Sequence, residues 1–129
     1  MRALLDSHVL LWWLSDAGQL APEARALFED HRAELLWSAA STWELGIKEA
    51  LGKLRLPETL DRFIPRQLRA QSLTGLPIYH DHAIRAATLP PVHRDPFDRM
   101  LVAQALVENI PLVTRDGALR SYGVECVEA

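Results

Sequence analysis

The chain has 129 residues, a formal net charge of −3, 49% hydrophobic residues and 24% charged residues. That is the size of one ordinary domain with enough apolar material for a core, and it excludes a strongly basic nucleic-acid-coating protein. Cys126 is the sole cysteine, which excludes an internal disulfide and a cysteine-based zinc cluster.

Residues 2–5 predict a short buried strand, and residues 8–14 an apolar helix with Ser7 as its cap. The six-residue apolar run 9–14 is far too short to cross a bilayer, and Asp6 interrupts the apolar stretch that a signal peptide needs. A cytoplasmic protein with no membrane contact is therefore expected. Pro22-Glu23 opens a second helix that should run to His31. Leu35-Leu36-Trp37 predicts a second strand. Ser38 then caps a helix in which Trp43, Ile47, Ala50, Leu51 and Leu54 recur at helical spacing, placing Trp43 inside. A further helix is expected from Leu56 through Ile64, to be broken or kinked at Pro65. Residues 76–79 predict a third strand and residues 82–89 a helix. Asp95 caps the next helix, with Pro96 at its first position and its end near Glu108. Residues 112–114 and 124–127 complete the strands, and Cys126 is expected as a buried thiol in the last of them. Strands alternating with helices predict an α/β domain, residues 1–129, with a mostly parallel sheet flanked by helices.

Four acids fall where strands end and helices begin: Asp6, Glu44, Asp98 and Asp116. Ligands of open parallel sheets bind outside the carboxyl ends of the strands, so these are candidate catalytic and metal-ligating residues. Two carboxylates ~6 Å apart repel by roughly 2–3 kcal/mol at an effective dielectric near 20, a cost that a bound cation or a retained proton offsets. Each acid also has a plainer reading. Asp6 and Asp116 suit a cap or a turn, Glu44 suits an i,i+4 pair with Lys48, and Asp95 and Asp98 both favour a helix start. Asp95 is assigned mainly to capping. Ser7, Lys48, Arg94, Arg99 and Arg115 are candidate substrate-binding residues beside the acids. The five histidines lack the HExxH pattern, and no GxxxxGK[ST] or GxGxxG motif is present. His8, two residues after Asp6, stands where an acyl-phosphate phosphatase wants a second Asp.

The segments Leu4-Leu5-Asp6-Ser7-His8-Val9-Leu10-Leu11-Trp12, Ser38-Ala39-Ala40-Ser41-Thr42-Trp43-Glu44-Leu45, His93-Arg94-Asp95-Pro96-Phe97-Asp98-Arg99 and Leu112-Val113-Thr114-Arg115-Asp116 resemble a PIN-domain ribonuclease of the VapC type. Such proteins are the toxin half of bacterial type II toxin–antitoxin pairs. The resemblance implies a PIN-like three-layer sandwich and Asp6, Glu44, Asp98 and Asp116 as the acidic quartet. It also implies Mg²⁺ or Mn²⁺, RNA as substrate, and products with 5′-phosphate and 3′-hydroxyl ends. For partners it implies a cognate antitoxin covering the active-site groove and a homodimer, heterotetramer or higher complex. A PIN-family RNA-processing nuclease without a toxin role and a non-catalytic PIN-like interaction module are the alternative readings.

Overall fold

The computed structural model describes residues 1–129, and its centre is a five-stranded sheet in the order β3-β2-β1-β4-β5 with every pairing parallel. The strands are β1 (Arg2–Leu5), β2 (Glu34–Ser38), β3 (Thr74–Leu76), β4 (Leu112–Thr114) and β5 (Cys126–Glu128). Alternation along the strands divides the apolar side chains between two faces. Ala3, Leu5, Leu35, Trp37 and Val113 enter one core, with Val9 and Leu10 of α1 (Ser7–Ser15), Ala24 of α2 (Pro22–Glu29) and Phe63 and Ile64 of α4 (Leu60–Ala70). Leu4, Leu36, Leu76 and Leu112 enter the other, with Leu101, Val102 and Ala105 of α6 (Pro96–Glu108). Between them, α3 (Ala39–Ala50) packs on α1 and α6, while α5 (His80–Thr88) packs on α6. The result is the expected three-layer α/β sandwich, with an all-parallel sheet where a mostly parallel one was predicted. No helix is long and apolar enough to cross a membrane.

Several boundaries differ from the sequence expectation for local reasons. Asp6, not Ser7, caps α1: its carboxylate accepts the amide of His8, while Ser7 is buried. The second helix stops at Glu29 because the Asp30 side chain takes the amide of Arg32 and turns the chain. The fourth helix begins at Leu60 and runs through Pro65, which neither breaks nor ends it. Burial of Phe63 and Ile64 on one face holds that helix down despite the missing donor. β3 ends before Pro77, which cannot donate to a ladder, so the predicted strand 76–79 lies two residues too far along. The following helix starts at His80 rather than His82. Gly123 at φ 85° closes a 3-10 turn (Gly117–Tyr122), which delays β5 to Cys126. Cys126 is half-buried, and burial pushes its thiol above the ordinary range.

Trp43 is the largest departure. It was expected inside and is 65% exposed, its ring meeting Phe97 edge-on at 5.4 Å. The buried side of α3 is carried instead by Ala40, Ser41, Glu44 and Leu45.

A buried polar network ties α5 and α6 to the end of β2 and the start of α3. The Gln104 side chain is fully buried; its Oε1 accepts the Ser38 hydroxyl at 2.5 Å, and its Nε2 reaches Pro77 O at 3.2 Å and His82 Nδ1 at 3.3 Å. His82 Nδ1 also accepts the Tyr79 amide, which leaves Nε2–H to donate to Glu108 at 2.9 Å. Ser38 in turn caps α3 by accepting the amide of Ala40. Gln104→Leu should therefore lower stability by ~1–3 kcal/mol, because it leaves the Ser38 hydroxyl buried without this acceptor. Urea unfolding measures this, and a change below ~0.5 kcal/mol, the ordinary range for surface positions, would mean that the network relaxes without cost.

Candidate active site

From β1 the chain proceeds to β2 on one side, and β4 later joins on the other. The strand order reverses between β1 and β4, and in open α/β sheets the crevice outside such a point is where ligands bind. Asp6 directly follows β1, and Thr114 ends β4. The Thr114 hydroxyl donates to Asp6 Oδ2 at 2.9 Å and accepts the amide of Asp116 at 3.1 Å, so one side chain ties both acids to the sheet edge. Asp116 caps the 3-10 turn through Oδ1 and turns Oδ2 toward His93 Nε2, 3.2 Å away. Asp98, in the first turn of α6, places its Oδ2 3.6 Å from the same His93 nitrogen. Asp95 caps that helix by accepting the amides of Phe97 and Asp98.

Glu44 arrives from α3 and is 6% exposed. Its Oε1 accepts the Ser7 hydroxyl at 2.6 Å, and its Oε2 pairs with Lys48 Nζ at 2.9 Å. Lys48 also lies 3.4 Å from His8 Nε2, and His8 Nδ1 stands 3.6 Å from Asp6 Oδ1. These groups close a ring from Asp6 through His8, Lys48 and Glu44 to Ser7. Asp6, Glu44, Asp98 and Asp116 line one cavity of about 340 Å³, with Lys48 and Arg115 on its wall.

The electrostatics follow from this packing. Burial opposes ionisation of Asp6, but hydrogen bonds from His8 and Thr114 outweigh it and hold the carboxyl below its ordinary range. Hydrogen bonding to Asp6 raises the pKa of His8, against burial and the charge on Lys48. Burial, then the charges on Asp95 and Asp6, push the Asp98 carboxyl up to about 7 against the pull of His93. One nitrogen of His93 and one oxygen each of Asp98 and Asp116 lie within 4.8 Å of one another. A hard-oxygen cluster that repels itself enough to retain a proton has the donor chemistry of a divalent-cation site.

The PIN domain family model matches residues 3–125. The chain belongs to the PIN-domain family. It is 32% identical to Ribonuclease VapC22 of Mycobacterium tuberculosis over 120 residues, 92% of this chain and 90% of that protein. It is also 38% identical to Ribonuclease VapC16 of the same organism over 66 residues, a match that spans 51% of this chain and 47% of that relative's length. Among solved structures it is similar to VapBC2 from Rickettsia felis bound to a promoter DNA fragment, with a TM-score of 0.72 at 13% identity over 99% of this chain and 98% of that one. DNA-bound VapBC from Salmonella typhimurium gives 0.71 at 16% identity, with the same coverage of both chains. At such identities the likeness is one of fold.

Within the PIN fold, the four predicted acids meet in one cavity, whereas the predicted substrate-binding residues divide. Lys48 and Arg115 line the cavity, although the Arg115 guanidinium is anchored over the Trp12 ring at 3.8 Å and donates to Gln19 O and Ala129 O. Arg94 lies in an adjoining groove. Ser7 is buried and serves Glu44 instead of facing the cavity. Arg99 is a correction: its guanidinium is spent on the carbonyls of Ala86, Leu89, Pro90 and His93, where it staples the loop before α6. Sequence reasoning missed His93, His8 and Thr114. His8 and His93 stood beside motif acids, but their roles depend on partners 23 to 40 residues away, which no local spacing reports.

Proposed function

We propose that this chain, as a single PIN domain over residues 1–129, is a divalent-metal-dependent endoribonuclease and the toxin of a toxin–antitoxin pair. The observation that carries the reading is the convergence of Asp6, Glu44, Asp98 and Asp116 on one cavity at the topological switch point of the sheet. The near full-length similarity to a ribonuclease named VapC gives that cavity its substrate class. Asp6, Asp98 and Asp116, with His93 beside them, would hold Mg²⁺ or Mn²⁺, and Glu44 would complete the anionic wall. The cation supplies Lewis-acid polarisation of the phosphodiester and acidifies bound water. Ser7 and Lys48 fix both oxygens of Glu44, which orients that carboxylate to align the attacking water and accept its proton. Lys48 adds positive charge where the scissile phosphate enters.

The structural relatives from Rickettsia felis and Salmonella typhimurium are VapBC assemblies, which supports an antitoxin as this chain's partner. An acid-lined cavity suits an Arg or Lys of that partner, since a guanidinium matches a pair of carboxylates. Purified chain freed of partner should cut single-stranded RNA with Mg²⁺ or Mn²⁺ and stop in EDTA. Cleavage that persists in excess chelator would end the metal reading. Expression of the chain alone should arrest growth, and co-expression of the adjacent small reading frame should restore it. Absence of both effects would remove the toxin role and leave the nuclease intact.

A further inference from the structure

Beside the acidic cavity lies a second groove of about 400 Å³ that shares Glu44, Lys48 and Asp95 with it. Ile47, Leu51, Pro96 and Phe97 give it apolar lining, and Lys53 and Arg94 stand on its rim. Both rim side chains are exposed, and neither makes an ion pair. Next to the groove, Trp43 is 65% exposed and is steadied by the edge of Phe97 at an interplanar angle of 75°. Trp43 immediately precedes Glu44, so an indole and a catalytic carboxylate leave successive positions of one rigid helix.

We propose that this groove is a subsite for a nucleotide flanking the cut in single-stranded RNA. Its base stacks on Trp43, and its phosphate is held by Arg94 and Lys53. The inference rests on the ribonuclease reading and deepens it. Three features select RNA over a protein occupant. Flat aromatic surface beside unpaired cations is the pattern by which proteins hold single strands. The cations Lys48, Lys53 and Arg94 outnumber the carboxylates Glu44 and Asp95 in the groove's lining, on a chain whose net charge is −3. The groove is also continuous with the cavity where the phosphodiester must sit. An apolar protein segment would gain nothing from Arg94 and Lys53, whereas a polynucleotide brings a phosphate to each nucleotide.

The experiment measures binding of a short fluorescein-labelled single-stranded RNA in EDTA, to the wild type and to Trp43→Ala, Trp43→Phe and Arg94→Gln. The RNA is offered intact and with an abasic nucleotide moved along it. Trp43→Ala should weaken binding by ~10-fold or more, with Trp43→Phe recovering most of the loss. One abasic position should weaken wild-type binding by a similar factor and leave Trp43→Ala unaffected, because the two changes remove the same stack. Arg94→Gln should reduce the salt slope of log Kd by about one. If Trp43→Ala loses affinity equally for intact and abasic RNA, or loses none, the subsite is overturned. A fall in molecular mass by light scattering in that variant would then assign the face to contact between copies of the chain. Wild type that neither binds nor cuts RNA would instead sink the ribonuclease reading itself.

Discussion

Asp6→Asn and Asp98→Asn should each lower RNA cleavage by at least ~100-fold while the chain still folds, since each removes charge from a site that works by preorganised electrostatics. The two substitutions differ in what else they disturb. Asp6 caps α1 and accepts from Thr114, and asparagine retains an oxygen for either bond. Asp98 makes no capping bond, so its replacement leaves the helix start to Asp95. Asp95→Asn should therefore keep most activity, because asparagine caps nearly as well. Steady-state cleavage together with circular dichroism reads all three. An inactive Asp95→Asn beside an active Asp98→Asn would mean that Asp95 belongs to the site and Asp98 to the helix start.

The convergence of the four acids was legible because topology supplies the long-range step. In a parallel sheet every strand ends on the same edge, so acids just after Leu5 and Thr114, or early in helices following Ser38 and Asp95, must gather there. What surrounds the acids was not legible to the same depth. Ser7 read as a cap or a substrate contact because a small hydroxyl beside an aspartate suits both; only the approach of α3 gives it Glu44 as a partner. Arg99 read as a phosphate contact because it neighbours Asp98, but its guanidinium finds four backbone carbonyls in the preceding loop. Helical spacing put Trp43 inside with Ile47 and Leu51, yet that apolar stripe faces outward while Ala40, Ser41, Glu44 and Leu45 face the core. Periodicity marks a stripe and does not say what covers it.

Proton competition at Asp98 should make cation binding steeply pH-dependent. With its pKa pushed up to about 7, Asp98 carries a proton at mildly acidic pH that a cation must displace. Affinity for Mn²⁺, measured calorimetrically, should fall by up to ~10-fold per pH unit below pH 7 and level off above it. The same shift sets the stability of the metal-free chain. An unfolded Asp98 ionises near 3.8, so between there and about 7 the folded state binds the extra proton and stability declines as pH rises. Below that window the group is protonated in both states and contributes nothing. Above it the penalty is complete. Asp98→Asn should therefore melt higher than wild type in EDTA at pH 8, by roughly 3–5 °C if ~1 kcal/mol of repulsion survives solvent screening. The two should converge as pH approaches 4. Asp6 and His8 titrate in both proteins, so the difference between variant and wild type reports Asp98 together with its repulsion from Asp6. Equal melting temperatures at pH 8, together with a flat pH profile of Mn²⁺ affinity, would show that Asp98 ionises near its ordinary 3.8 and that the cluster does not raise it.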